Sequence, residues 1–84
     1  MNRYIEENKI VIHPVINLEK TGQHIKALRE EKGLTVQSLA NIMEFEAVQA
    51  VYNWQSGKTL PSLENLKILS ELFSKPMDEI LIFE

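Results

Sequence analysis

Five short segments of helical periodicity, separated by glycine, proline and capping residues, follow one another from Asn17 onward. Gly33, the stretch 56–61 and Pro76 interrupt the pattern, because glycine suits the left-handed position after a helix and proline prevents a helix from continuing. The predicted helices are short, and the connections between them have about 2–6 residues. This spacing predicts a compact all-α domain of five packed helices.

Capping residues and apolar stripes set the limits of each predicted helix. Asn17 or Thr21 can cap a first helix that ends near Glu31. The second follows Thr35, the third covers about residues 47–55, the fourth follows Ser62, and a short fifth follows Pro76. The side chains predicted to face inward are Ile25, Leu28, Val36, Leu39, Ala40, Met43, Val51, Trp54, Leu63, Leu66, Leu69, Phe73, Met77, Ile80 and Leu81.

The N-terminal residues differ from the rest of the chain. Residues 9–16 are mostly apolar and β-branched, which favours extended structure, and Pro14 restricts any strand there to a sheet edge or a strand end. The chain is therefore divided into an extended or partly ordered arm over residues 1–16 and a helical domain over residues 17–84. Residues 10–16 and 80–83 are more apolar than solvated ends should be, so we expect one or both to pack together, within the chain or across a dimer.

Several classes of site are not supported by the composition. The chain has no cysteine, so disulfides, thiolate metal sites and cysteine nucleophiles are excluded. His13 and His24 have no acidic residue or cysteine at ligand spacing, which argues against a metal, and three glycines do not form a phosphate-cradling loop. Adjacent acidic pairs have diverging side chains and are typical of solvated faces. We expect no enzyme activity and no cofactor.

Location and charge give weaker indications. The N-terminus is too acidic and polar for a secretory signal, and residues 10–16 are too few to span a membrane, so a cytoplasmic protein without membrane contact is expected. The formal net charge of −3 at pH 7 counts against nucleic-acid binding. It does not exclude it, because binding depends on the cations of the docking face rather than on the molecular average.

An ordered set of residues at fixed spacing runs from Thr21 to Leu81. Its members are Ile25, Leu28, Arg29, Gly33, Leu34, Thr35, Leu39, Ala40, Val51, Trp54, Gly57, Lys58, Pro61, Ser62, Leu63 and Leu66, followed by residues 76–81. The set resembles the Cro and phage-repressor type (XRE family) of helix-turn-helix domain, widespread among bacterial regulators. The resemblance implies a five-helix lambda-repressor-like fold, here with a short extended N-terminal arm, and a small transcriptional regulator that represses.

The resemblance also implies a DNA-reading surface. In this family the third helix enters the major groove and residues near its start contact base edges. The outward-facing candidates are Val48, Gln49, Tyr52 and Asn53; amides can pair with adenine and a valine methyl can contact a thymine methyl. Phosphate contacts are expected from Gln37, Lys58 and Thr59.

Three positions depart from the family pattern. Glu44 replaces the usual glycine in the turn between the paired helices, and since a left-handed non-glycine residue costs about 1–2 kcal/mol, the turn is open to another conformation. Val36 replaces the usual glutamine at the start of the second helix, so its phosphate role is moved to Gln37. Arg29, usually paired with a glutamate, faces Gln55, which predicts a charge-assisted hydrogen bond.

Two functions of different classes follow. The first is sequence-specific binding of double-stranded DNA by a homodimer on a two-fold site. The second is a protein-interaction module, such as an antitoxin that binds a toxin, with weak or no DNA binding. The acidic balance, Val36, and Glu44 and Glu46 close to the third helix favour the second.

Overall fold

The computed structural model describes residues 2–6 and 9–84, with side chains described for residue 10 and for residues 12–84. Within these residues two strands precede five helices: β1 (Asn2–Glu6), β2 (Lys9–His13), α1 (Leu18–Glu31), α2 (Val36–Ile42), α3 (Gln49–Gln55), α4 (Leu63–Phe73) and α5 (Met77–Ile80). The predicted five-helix fold is confirmed, and α2 and α3 form the helix-turn-helix pair.

Side-chain caps fix where three of the helices begin. Asn17, not Thr21, caps α1, since its side chain accepts a hydrogen bond from the backbone N–H of Lys20 at 2.8 Å. Thr35 and Ser62 cap α2 and α4 in the same way, as predicted. Each cap satisfies an N–H group that has no partner inside its helix. The third helix begins at Gln49, slightly later than predicted, and has no side-chain cap.

All five helices contribute buried side chains to a single core. Trp54 is almost fully buried and meets the ring of Phe45 edge to face, with ring centroids 5.7 Å apart. The buried hydrophobic residues are Ile25, Leu28, Leu39, Ala40, Met43, Val51, Trp54, Leu66, Leu69, Phe73 and Ile80. The prediction that Leu63 is buried is wrong: it is 74% exposed, because it lies one turn before Leu66, where the buried stripe of α4 starts.

The turn between α2 and α3 keeps a left-handed residue although glycine is missing. Glu44 has φ 59°, which is the left-handed conformation. The turn therefore does not adopt the other conformation that the cost of a left-handed non-glycine residue left open. Two hydrogen bonds hold it, from Glu44 N–H to the Asn41 carbonyl at 3.1 Å and from Phe45 N–H to the Ala40 carbonyl at 2.9 Å. These are the two bonds of a Schellman C-cap.

We expect Glu44→Gly to stabilise the protein by about 0.5–1 kcal/mol, because glycine takes this conformation without the Cβ penalty but loses more backbone freedom on folding. Urea unfolding followed by circular dichroism measures the change. Glu44→Gln is the matched control, since it removes the charge and keeps the Cβ. An equal gain from the glutamine variant would attribute the effect to charge and contradict the backbone explanation.

Residues 15–17, just before α1, pair with residues 82–84 within the molecule. The backbone N–H of Asn17 donates to Ile82 at 2.7 Å and that of Glu84 donates to Val15 at 2.9 Å, which forms an antiparallel bridge between Ile16 and Phe83. This pairing confirms for Ile16 and Phe83 the expectation that the two apolar segments pack together, within the chain; Ile10 and Ile12 lie in β2 and take no part in it. Thr21, predicted as an alternative cap, is instead fully buried, and its hydroxyl accepts from Ile82 N–H at 2.9 Å.

The N-terminal segment contains more regular structure than a single extended arm. Strands β1 and β2 pair antiparallel, with Asn2 opposite His13 and Glu6 opposite Lys9. Strand β2 ends immediately before Pro14, at the kind of position predicted for that proline. Ile10 and Ile12 of β2 are exposed.

Candidate nucleic-acid interface

Helix α3 is anchored through one face and presents the other to solvent. Val51 and Trp54 are buried in the core, three residues apart on one side of the helix. Gln49 and Tyr52 are exposed, and Asn53 is half-buried. The structure therefore brings three of the four predicted base-reading side chains together on the outer part of α3.

The two amide side chains of α3 are joined to each other. Gln49 Nε2 donates a hydrogen bond to Asn53 Oδ1 at 2.9 Å. This bond orients both amides and leaves Gln49 Oε1 as an acceptor beside the Nδ2 donor of Asn53. An adjacent donor and acceptor match the major-groove edge of adenine, which offers N7 as acceptor and the N6 amino group as donor.

Val48 lies differently from the other three candidates. It precedes α3 as the N-cap residue and is half-buried, packed against the hydrophobic core. The part of its side chain left to solvent is small compared with that of Tyr52, which is 50% exposed. A thymine-methyl contact by Val48 stays a prediction.

The loop after α3 holds a cation beside the helix. Gly57, at φ 80°, ends the helix, and the backbone N–H groups of Lys58 and Thr59 both donate to the Asn53 carbonyl, at 2.9 and 3.3 Å. Both side chains are exposed, and no described carboxylate forms an ion pair with Lys58. Its ammonium group is thus available to an anion from outside the chain.

Gln37 lies on α2 rather than on this loop. Its side chain is exposed, and its Nε2 donates to Asn41 Oδ1 at 3.0 Å. The N–H of Ser38 in the first turn of α2 is already bonded to Thr35. Gln37 is therefore a side-chain donor at this end of α2, next to the first-turn N–H groups that have no partner inside the helix.

Arg29 fixes the two helices of the motif relative to α1. It is 8% exposed; its Nε donates to Gln55 Oε1 at 2.9 Å and its Nη1 donates to the Leu34 carbonyl at 2.7 Å. The predicted hydrogen bond to Gln55 is therefore confirmed. A single guanidinium connects the last residue of α3 to the loop that leads into α2.

Gly22 sets how closely α1 and α3 approach. A Cβ added at this position would lie 2.1 Å from the Trp54 carbonyl oxygen and 2.8 Å from that of Gln55. Neither Gly22 nor Phe45 is among the residues that the sequence predicted to have a role. A lone glycine inside a helical pattern was the available signal for the first, since such a residue often marks a close packing contact.

Acidic side chains lie near the same surface. Glu44 and Glu46 are both exposed in the turn that precedes α3.

Within the part of the chain that the structure describes, no group of three histidine, cysteine or acidic residues is placed to hold a metal ion. Likewise, no described helix is long and apolar enough to cross a membrane.

Comparison with known proteins identifies the fold family. The model of the HTH_3 helix-turn-helix family matches residues 25–80, which include α2, α3 and the loop carrying Lys58. The chain belongs to this family. The match covers the Arg29 to Gln55 connection and ends at the last residue of α5, so the HTH_3 region comprises most of the helical part of the chain.

Individual relatives agree with the family. The HTH-type transcriptional activator BcrR of Enterococcus faecalis is 37% identical over 60 residues, which are 71% of this chain and 29% of BcrR. The chain thus corresponds to under a third of that relative's length. Two solved structures of the BldD DNA-binding domain, one described as from S. venezulae, share the fold with a TM-score of 0.64 and 18% identity. Each covers 77% of this chain, which covers 96% and 93% of them. Together with the HTH_3 match, these likenesses agree on a helix-turn-helix fold.

Proposed function

We propose that this HTH_3 protein regulates transcription by sequence-specific binding of duplex DNA, with α3 in the major groove. The observation that carries the proposal is the outer face of α3, where the paired amides of Gln49 and Asn53 lie beside Tyr52. The buried anchors Val51 and Trp54 hold this face outward. A rigid, polar helix face of this kind is suited to reading base edges.

Each side chain has a separate role in the proposal. Gln49 and Asn53 together read an adenine, Tyr52 contacts phosphate or sugar, and the exposed part of Val48 meets a thymine methyl. Lys58, Thr59 and Gln37 contact phosphates and so set the position of α3 in the groove. The free ammonium of Lys58 is the strongest of these, because charged contacts to phosphate release counterions.

The proposal also covers the domain division, the location, the oligomeric state and the regulatory effect of the protein. Residues 17–84 are the DNA-binding domain and residues 1–16 its arm. The protein acts in the bacterial cytoplasm as a non-enzymatic homodimer, because one module of this size buries limited surface and two half-sites raise affinity. We propose repression, since a small domain bound across a promoter blocks it without further contacts. BcrR is named an activator, but the chain matches under a third of it.

Two substitutions in the proposed interface should have different effects on DNA binding. We expect Lys58→Ala to weaken binding to all sequences alike and to reduce the slope of log K against log salt by about 1. Gln49→Ala should leave that slope unchanged and reduce the preference for the selected site by about 1–3 kcal/mol. Fluorescence anisotropy with random duplex and with a selected site, at several salt concentrations, measures both.

Lys26→Ala is the matched control, because Lys26 is an exposed lysine of α1 rather than of the loop after α3. It should behave as the wild type. Failure of the wild-type protein to bind random duplex DNA at low salt would overturn the proposal. A loss of affinity in Lys26→Ala equal to that in Lys58→Ala would show that binding is not centred on α3.

The exposed acids beside α3 favour a second function. Glu44 and Glu46 bring negative charge to the surface that would approach phosphates, whereas Lys58 is the cation of the adjoining loop. A protein-interaction module, such as an antitoxin that covers a toxin, would use this acidic turn on a basic partner. Absence of low-salt DNA binding, together with a folded wild-type protein, would favour this function.

A further inference from the structure

We propose that an apolar groove between α4 and α5 is the contact through which two copies of this chain dimerise. The groove has a volume of about 520 Å³ and is lined by Leu63, Glu64, Lys67, Ile68 and Met77. The proposal rests on the dimeric DNA binding proposed above and names the surface that would produce it. Its occupant is the same groove of a second copy.

The groove is lined by apolar side chains that are unusually exposed to solvent. Leu63 is 74% exposed, more than any other large hydrophobic side chain that the structure describes, and Ile68 is 39% exposed. Single exposed leucines are common on protein surfaces, but here the leucine adjoins a concave apolar surface. Burial of a leucine side chain contributes about 1.5–3 kcal/mol.

The shape of the groove suits pairing with itself. In a two-fold dimer every contact occurs twice, so a surface must carry both partners of each contact. Leu63 projects from the first turn of α4, and the space beside Ile68 and Met77 can receive a leucine from the other copy. A projection and a recess on one surface meet this requirement.

The charges at the rim suit the same arrangement. Glu64 and Lys67 carry opposite charges one turn apart on α4. Antiparallel pairing of two α4 helices about an axis between these positions would set each lysine against the glutamate of the other copy. Lys67 reaches Glu71 at 3.9 Å within the chain, but both side chains are well exposed. Such a pair contributes little, which leaves Lys67 able to contact a second copy.

The location of the groove agrees with DNA binding. Ser62 caps α4 directly after the loop that carries Lys58 and Thr59, so Leu63 follows the proposed phosphate contacts in the chain. A two-fold axis beside Leu63 would therefore relate the two copies of this loop. The same axis would relate the two α3 helices, as a palindromic site read by two recognition helices requires.

The size of the groove limits the strength of the dimer. Stable interfaces bury about 800 Å² on each partner, from about 20–30 residues. Five lining side chains form a smaller contact, so we expect dissociation in the micromolar range without DNA. Two half-sites on DNA would then hold the copies together.

Sedimentation equilibrium of the full chain without DNA, from about 5 to 500 µM, tests the interface. We expect the wild type to dimerise and Leu63→Gln to weaken dimerisation about 100-fold, because each substitution removes two leucine contacts per dimer. Leu18→Gln is the matched control: Leu18 is also the first residue of a helix and is 39% exposed. It should dimerise as the wild type does.

A charge exchange adds a test that does not depend on apolar burial. Glu64→Lys and Lys67→Glu should each weaken the dimer, and the double variant should restore it in part. A wild type that stays monomeric throughout, or Leu63→Gln that dimerises unchanged, would overturn the proposal. So would a loss of dimer in Ile12→Thr but not in Leu63→Gln, since it would place the contact on β2.

Binding to random duplex at low salt separates this proposal from the proposed function. Leu63→Gln should retain that binding and lose the added affinity for a two-half-site DNA. A wild type that dimerises through Leu63 but binds no DNA leaves the interface intact and removes the DNA-binding function. A wild type that binds DNA but shows no dimer would overturn the proposed interface and leave the DNA-binding function intact.

Discussion

Replacing Gly22 by alanine should destabilise the protein, although alanine is the better helix former. In an exposed helix the change would gain about 0.5–1 kcal/mol. Here the new Cβ would lie 2.1 Å from the Trp54 carbonyl oxygen, which belongs to the backbone and cannot rotate away. Overpacking of this kind costs about 1–3 kcal/mol or more, so α1 and α3 must separate. A loss of stability in Gly22→Ala would therefore show that α1 and α3 are in close contact at this position.

Urea unfolding followed by Trp54 fluorescence measures this change, and the total stability of a domain of this size is on the order of 4–13 kcal/mol. Gly33→Ala is the matched control. Gly33 has φ 73° but nothing within 4 Å of an added Cβ, so its variant reports the backbone strain alone, about 1–2 kcal/mol. A Gly22→Ala protein as stable as the wild type or more stable would show that α1 and α3 do not approach so closely.

A shift of α3 caused by Gly22→Ala should also change the proposed DNA-binding surface. Gly57, which ends α3, also packs closely on α1: a Cβ added there would lie 2.8 Å from the Cα of Glu19. The loop carrying Lys58 is thus held against the same helix that Gly22 approaches. We expect weaker binding of random duplex by Gly22→Ala under conditions where the variant remains folded.

The order and limits of the helices could be predicted because their signals are local. Thr35 and Ser62 cap helices through bonds to residues three positions away, and the left-handed glycines follow helix ends. Arg29 and Gln55 were matched through the family resemblance, and the structure joins them at 2.9 Å. Contacts between residues far apart in the sequence were harder to predict: nothing near Gly22 in the sequence indicates that Trp54 packs against it.

At Leu63 and Glu44 the structure differs from what the sequence predicted, and the spacing of residues along the chain could not have revealed why. Leu63 fits the apolar periodicity of α4, but a stripe is buried only where another element covers it, and its first turn is not covered. Glu44 was open to another conformation because its residue type disfavours φ near 60°. The hydrogen bonds of the C-cap outweigh a cost of about 1–2 kcal/mol, so tertiary and capping geometry decide the turn.

We expect Arg29→Met to lower stability by about 2–4 kcal/mol, because it removes two charge-assisted hydrogen bonds from an almost buried side chain. Methionine retains much of the apolar stem, so the loss reports the guanidinium. The Leu34 carbonyl and the Gln55 amide would lose their partner, and with it the connection between the start of α2 and the end of α3. Equilibrium unfolding in urea gives the free-energy change.

Arg29→Lys distinguishes the positive charge from the geometry of the guanidinium. An ammonium keeps the charge but lacks the planar fork that donates to Gln55 and Leu34 from separate nitrogens, so we expect lysine to recover less than half of the loss. Full recovery would show that charge alone suffices. Because both acceptors lie at the ends of helix-turn-helix elements, we further expect Arg29→Met to weaken DNA binding more than its stability change accounts for. Equal binding per folded molecule would limit Arg29 to a role in stability.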